Sequence, residues 1–562
     1  MDKPIALLID AIVIIAYFVV IVGIGLKAGR SNKNLRDYAV GGRSIPWWAV
    51  LASIIAAETS AATFLGAPAE GYSTRSYSYA QLAIGTVLAR VIIAFLFIAP
   101  YYKYRVQSIY EFLDLRFGPA TKNAASGIFL ITRVLGIGVR LYLGGVILVV
   151  IWRYFGHSVS LNTYFWGILF VTVVTTIYTA VGGIKAVVWT DLIQACLMMG
   201  AVLFAIFTLF HHIPGGWGTV TETMKSNPGV GMFQSGWDAS LPFGAALKGM
   251  LEQQYTLLAA FLGSTFFTMA THGTDQDMVQ RMLTAENPKK SKFSLILSGL
   301  ADIPIVLAFL SVGILLYVYY LKVPDGTLPK EDNEVFAHYI VNEMPIAVRG
   351  LIIAGVFATM MGSTSAALNA LATSFVRDFF QPYLSRKDAS EEARERGSIV
   401  AARWSTVVFG ALMVVVATLC AYAVLQTNIT IIPLALGILG YSYGALLGMF
   451  LLGVLTKKRG HDIGNVIAMV CGISAVLILC KVSVPFINLG DLFSGKGLVP
   501  GKLSFGWFMP EWWPAFAWPY YVLIGSVVSF LIAACFPCTR VMPEYVTEDE
   551  PVPASAKGGM FH

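Results

Sequence analysis

Ser53-Ile54-Ile55-Ala56-Ala57-Glu58-Thr59-Ser60-Ala61-Ala62-Thr63 places one carboxylate and four hydroxyls in the middle of an apolar run over about 46–67. A second run has the same kind of centre: Thr268-Met269-Ala270-Thr271-His272-Gly273-Thr274-Asp275-Gln276-Asp277. The two runs are five spans apart. Interrupted helices at matching positions of two inverted repeats give this spacing. The pair therefore predicts a five-plus-five inverted repeat, with each polar centre an unwound stretch that frees backbone carbonyls.

Outward from that pair, the chain is one apolar run after another. Of 562 residues, 57% are hydrophobic and 13% charged, where a soluble protein would carry about 25% charged residues. The reading is an all-α integral membrane protein, because backbone in lipid must satisfy its own hydrogen bonds. The runs are continuous, whereas barrel strands alternate. Runs long enough to span lie at about 5–26, 46–67, 78–101, 125–151, 163–181, 187–211, 251–274, 293–321, 346–376, 402–425, 430–455, 464–486 and 515–537, about thirteen spans. The first is too long for a signal peptide and is followed by basic residues instead of a small-residue cleavage site.

The basic residues follow alternate spans: Lys27, Arg30, Lys33, Arg36 and Arg43 after the first, Lys103, Arg105 and Arg116 after the third, Lys289, Lys290 and Lys292 after the seventh, and Lys457, Lys458 and Arg459 after the eleventh. This bias puts those loops in the cytoplasm, the amino terminus outside and the carboxyl terminus inside. The net charge of +7 is thus a membrane-orientation signal and not a nucleic-acid footprint. Residues 1–538 read as a single transmembrane domain, with repeats over about 45–211 and 250–455. Residues 539–562 read as a disordered cytoplasmic tail.

Several polar residues are candidates for function, each beside a plainer reading. Asp191, in Trp189-Thr190-Asp191-Leu192-Ile193-Gln194, is a carboxylate at the start of a long apolar stretch. Such a group costs about 2.5–3.5 kcal/mol to insert. As an acceptor it calls for a cation or a ring of donors, and it reads as part of a sodium site. Glu58 is either a ligand group in an unwound stretch or a structural carboxylate paired with a nearby Arg. Thr59, Ser60 and Thr63 either face a ligand or bond back to their own helix. Thr271 and His272 are candidate solute contacts, with a satisfied core histidine the alternative for His272. Asp275 and Asp277, just before Arg281, read as an internal ion pair. Thr359-Met360-Met361-Gly362-Ser363-Thr364-Ser365-Ala366-Ala367-Leu368-Asn369 is a third polar span. Its small residues suit close helix packing, and its hydroxyls equally suit a hard cation. Arg90, Arg133, Arg140 and Asp302 are further charges inside the spans, with pairing among themselves the structural alternative. Cys535-Phe536-Pro537-Cys538 has metal or redox spacing but stands without a second pair. Asn428-Ile429-Thr430 is a glycosylation sequon in an outer loop.

Asp37-Tyr38-Ala39-Val40-Gly41-Gly42-Arg43, the stretch from Ala56 to Thr63, Tyr178 to Asp191, Asp275 to Arg281 and Ser363 to Asn369 together resemble the solute:sodium symporter family, which includes sodium/glucose, sodium/galactose and bacterial sodium/sialic acid transporters. The resemblance covers about 37–460, and its motifs occur in order. It implies the LeuT-type fold, with one helix before the ten-helix core and two after it. It also implies a common sodium site between the first and eighth core helices. The carbonyl ligands of that site fall on Ala56, Thr59 and Thr359, and its two hydroxyl ligands on Gly362 and Ser363. Gly362 has no hydroxyl, which is a departure from the family pattern. Asp191 matches the family carboxylate near this sodium. A further sodium position beside it in the sialic acid transporters maps to Ser365 and Ala366, of which only Ser365 has a hydroxyl. For solute, Ser60 and Thr63 match carboxylate-holding hydroxyls, and Gln81 lies one residue from a matching Gln. The assisting Arg aligns with Gly136, flanked by Arg133 and Arg140. Glu58 and Asp302 stand where the family's sugar sites use Asn and Lys, so a copied galactose site is not expected.

The resulting expectation is sodium-coupled symport of a small polar solute by alternating access, with a sugar or a sugar acid such as sialic acid first. Another carboxylate, a cationic solute and a transporter-like sensor are the alternatives. The co-transported ion is sodium, and the partners are a small solute, sodium and the lipid bilayer in a multi-pass plasma membrane position. The seven histidines are dispersed and form no paired catalytic arrangement, so an enzyme is not expected.

Overall fold

A computed structural model of the chain describes residues 3–30, 34–154, 156–226, 231–384, 390–427, 432–487, 500–538 and 540. The sequon at 428–430 and nearly all of the predicted tail lie outside the described residues. The principal helices are α1 (Lys3–Gly29), α2 (Trp47–Glu58), α3 (Ala61–Thr74), α4 (Leu82–Leu96), α5 (Pro119–Tyr154), α6 (Leu161–His212), α7 (Thr265–Gly273), α8 (Gln276–Leu283), α9 (Pro288–Lys322), α10 (Asp332–Glu343), α11 (Val348–Phe375), α12 (Glu391–Thr427), α13 (Ile432–Leu455), α14 (Asp462–Leu479) and α15 (Tyr520–Ala534). One antiparallel hairpin, Ser483–Ile487 with Pro500–Ser504, joins α14 to the segment before α15.

Among the described residues, nine helices are long and apolar enough to cross a membrane, or ten if the bent pair α2–α3 is one span. The expected count of about thirteen depends on α6 crossing twice and on the short α7 and α15 each forming a span. The 52 residues of α6 are about 78 Å long at 1.5 Å per residue, more than twice the thickness of a bilayer core. The predicted spans 163–181 and 187–211 are joined without a loop. The break falls at Gly183, with φ 58° and ψ −155°, a conformation reserved in practice for glycine. A Cβ there would also lie 2.7 Å from the Tyr38 carbonyl oxygen.

The first polar centre is a real break. The axes on either side of it differ by 58°. Ser60 N–H donates to Glu58 O at 3.0 Å, and Thr63 N–H to Ser60 O at 2.9 Å. Both donors are thereby taken from the carbonyls four residues earlier, those of Ala56 and Thr59. The second centre breaks between α7 and α8, where Asp275 caps α8 through Asp277 N–H at 2.8 Å. A helix that is apolar or small on every face belongs inside a bundle. That is α11, buried from Ile352 to Ser374 without interruption, against α6, α5 and α1. At the other extreme, α1 exposes Leu8, Ile12, Ile15 and Val19. Their spacing of three and four residues makes one stripe for lipid.

Candidate functional site

Glu58, the last residue of α2, is fixed by the helices around it. Arg90 of α4 forms an ion pair with its Oε1, and His272 Nε2 of α7 stands 2.9 Å from the same oxygen. Arg90 Nη1 also donates to Ser298 Oγ at 3.1 Å. The nearby Arg of one reading of Glu58 is thus Arg90. Asp302 of α9 does not meet Arg140; it accepts from Thr86 Oγ1 at 3.1 Å. Because Thr86 and Arg90 are one turn apart on α4, Glu58, Arg90, His272 and Asp302 gather on α2, α4, α7 and α9. The partnership of Glu58 and Arg90 was missed from sequence. Arg90 is visible as a charge in an apolar run, but nothing local says which helix it faces.

The remaining solute candidates divide. Gln81 is spent on backbone, donating to Tyr255 O at 2.7 Å and accepting from Gln234 N–H at 3.3 Å. Thr271 bonds back to Phe267 O at 3.1 Å and meets His272 Nδ1 at 3.0 Å. The hydroxyls of Ser60 and Thr63, on the α3 side of the break, make no side-chain hydrogen bond among the described residues. Arg140 of α5 is half-buried and likewise forms no hydrogen bond or ion pair among them. It lies two turns beyond Arg133, hence on the same face and about 10 Å further along the axis. Arg133 meets Asp275 Oδ2 at 3.0 Å and pairs with Asp277, so that face looks toward the α7–α8 break. α5 also packs against α3, the half-helix that carries Ser60 and Thr63.

Asp191 of α6 is fully buried. Its Oδ2 accepts from Ser53 Oγ at 2.5 Å and from Arg281 Nη2 at 3.2 Å, while Arg281 Nε donates to Ser53 Oγ at 2.9 Å. Arg281 also pairs with Asp277, and Asp275 accepts from Tyr443 at 2.7 Å. The expected internal pairing of Asp275 and Asp277 is thus present, and it extends through Arg133 and Arg281 to Asp191. Three buried carboxylates face two buried guanidiniums in this network, one negative charge in excess. The other oxygen of Asp191, Oδ1, is buried without a partner, as are Gln194 Oε1 and the Tyr178 hydroxyl. Gln194 was quoted in the sequence beside Asp191 but not singled out.

On α11, Ser363 Oγ donates to Thr359 O at 3.0 Å and Met360 O at 3.2 Å, and Ser365 Oγ to Gly362 O at 3.1 Å. Each hydroxyl keeps lone pairs free to accept. Asn369 is committed elsewhere, accepting from Gln280 at 2.7 Å. Gly362 faces α6. A Cβ built on it would stand 2.8 Å from Gln194 Oε1 and 3.6 Å from Asp191 Oδ1. Oxygen donors of this kind suit a hard monovalent cation, and among the described residues no cluster of His, Cys, Asp and Glu offers a transition-metal site.

Comparison with known proteins bears on the family and the fold. The family model described as Sodium:solute symporter family matches residues 38–472. The sodium/sialic acid symporter NanT of Aliivibrio fischeri is 28% identical over 84% of this chain and 87% of its own length. The sodium-coupled monocarboxylate transporter 2 of Mus musculus is 28% identical over 79% of this chain and 68% of its own. A solved structure of a Na+-coupled sialic acid symporter, substrate-bound and outward-open, superposes with a TM-score of 0.74 at 24% identity, covering 95% of this chain and 99% of that one. The all-helical chain therefore has the LeuT-type fold.

Proposed function

The chain belongs to the sodium:solute symporter family, and from that membership we propose that it takes up an organic anion, a sugar acid such as sialic acid first, together with sodium. The observation that carries the anionic reading is Arg140: a guanidinium inside a spanning helix that forms no hydrogen bond or ion pair among the described residues, on the face that looks toward the α7–α8 break. An unpaired charge at that depth is costly, and a carboxylate matches its fork of donors. The free hydroxyls of Ser60 and Thr63, on a half-helix packed against α5, would hold the other carboxylate edge. Relatives named for sialic acid and for monocarboxylates support the same chemistry.

Sodium binds where α2 unwinds against α11. In this reading the Ala56 and Thr59 carbonyls, released from the helix ladder, supply two ligands and the Thr359 carbonyl and Ser363 hydroxyl two more, with Asp191 and Ser365 as the further oxygen donors. Residues 1–538 act as one transport unit. Sodium fixes the break, solute binds beside it, and the two repeats rock to the inside. Coupling requires that each ligand raise the affinity for the other by the same factor.

One observation favours a second reading. Among the described residues Asp302 has a single donor, Thr86, so a cationic group on the solute would find an acceptor there. A thermal-shift screen of sugar acids, simple carboxylates, neutral sugars and amines, with and without sodium, separates the two. Sodium-dependent stabilisation by carboxylates alone supports the anionic reading, and stabilisation by amines alone replaces it. Proteoliposome uptake of the hit should require an inward sodium gradient. Equal uptake without one sinks sodium coupling.

A further inference from the structure

Gly362 stands at a position where the family resemblance leads one to expect a hydroxyl ligand. The space is not empty of oxygen. The point where a side chain would begin lies 2.8 Å from Gln194 Oε1 and 3.6 Å from Asp191 Oδ1. Both oxygens are buried, Gln194 at 2% exposure and Asp191 at 0%, and neither has a hydrogen-bond partner. Acceptors left without a donor cost free energy on folding, and the nearby donor is the Tyr178 hydroxyl, itself buried and unpaired. The remaining polar atoms of both side chains are tied elsewhere. Gln194 Nε2 donates to Tyr17 OH at 3.3 Å, and Tyr17 OH in turn to Met361 Sδ at 3.5 Å. That anchor turns the amide so that its oxygen points at Gly362. Asp191 Oδ2 is held by Ser53 and Arg281, which leaves Oδ1 for the same space.

We propose that Gln194 is a sodium ligand: its amide oxygen replaces the hydroxyl that Gly362 lacks, and it shares the ion with Asp191 Oδ1. An amide oxygen and a carboxylate oxygen are hard donors of the kind that hard cations take. A side chain at 362 would push the Gln194 amide aside, so the glycine on α11 is what leaves the amide oxygen of α6 in this space. Gln194 joins the site from a helix that the first and eighth core helices do not include, so sodium also ties α6 to α11. This inference rests on the sodium-coupled reading above.

The test measures the sodium concentration for half-maximal uptake, together with sodium-dependent thermal stabilisation of the purified full-length chain. Gln194→Met keeps the side-chain length and removes the oxygen, and it should raise that concentration by about tenfold or more. Gln194→Ala should do the same, and Gln194→Ala combined with Gly362→Ser should return it to within about threefold of the parent, because the hydroxyl is restored where the amide was. Unfolding temperature without sodium controls for folding. Lithium and potassium in place of sodium show whether the response is to this ion. If Gln194→Met folds normally and keeps the parental sodium dependence, the assignment is wrong. If the double variant is no better than Gln194→Ala, the hydroxyl does not stand in for the amide oxygen, which also overturns it. A parent chain with no sodium dependence at all would remove the sodium-coupled reading itself, a result distinct from either of these.

Discussion

Arg140 and Arg90 are both arginines inside the membrane, and their surroundings demand opposite responses to substitution. Arg140 forms no hydrogen bond or ion pair among the described residues, so Arg140→Gln should leave the unfolding temperature near the parental value. Its effect should fall on transport, as a loss of carboxylate affinity of about ten- to a hundredfold, corresponding to a charged hydrogen bond of roughly 1.5–3 kcal/mol. Uptake measured against solute concentration reads it. Arg90 is fully buried and neutralises Glu58. Arg90→Gln should destabilise by about 1–3 kcal/mol, because it leaves the half-buried Glu58 carboxylate with His272 alone. Adding Glu58→Gln should recover much of that loss. Thermal unfolding of the two single variants and the double variant forms the cycle, and strictly additive losses would dissolve the pairing. The same contrast explains what could be read in advance. Glu58, Ser60, Asp191 and Ser363 announce themselves because a polar residue in an apolar run is conspicuous from its neighbours alone. The partners of Glu58, and the outward turn of Gln194 toward Gly362, depend on which helices touch, and no local spacing encodes that.

At the scale of elements, the two breaks were readable and the joint in α6 was not. The sequence around Glu58 carries its own reason to unwind, since hydroxyls and a carboxylate compete for backbone donors. The α6 joint is a single glycine between two apolar runs, 163–181 and 187–211, that read as separate spans. Its conformation is what gives it away: Gly183 sits at φ 58° and ψ −155°. Gly183→Ala should destabilise by about 1–3 kcal/mol through backbone strain, with the Tyr38 carbonyl blocking the new Cβ in addition. A lower unfolding temperature with unchanged sodium affinity is the expected result. Lower sodium affinity at unchanged stability would mean the joint instead sets the angle of Asp191.

For the whole molecule, the cargo's total charge decides what drives it. One sodium with one monoanion is neutral, so the proposed cycle moves no net charge. Uptake into proteoliposomes under a sodium gradient should then be indifferent to an imposed membrane potential. Each additional sodium would add about 2.3 kcal/mol per 100 mV, about fiftyfold in accumulation. A clear acceleration by an inside-negative potential would therefore report a second sodium, or a solute without the negative charge.

The contrast between α1 and α11 has a consequence for the medium in which the protein works. Bilayers differ in thickness, and a helix that meets lipid answers a mismatch by tilting or by deforming the lipid around it. The stripe of α1 from Leu8 to Val19 receives that load directly. Nothing of the kind reaches α11 at first hand, for its flanks are all protein from Ile352 to Ser374. The oxygen atoms at its centre are thus mechanically insulated, and ion selectivity should be a property of the chain that travels unchanged between thin and thick membranes.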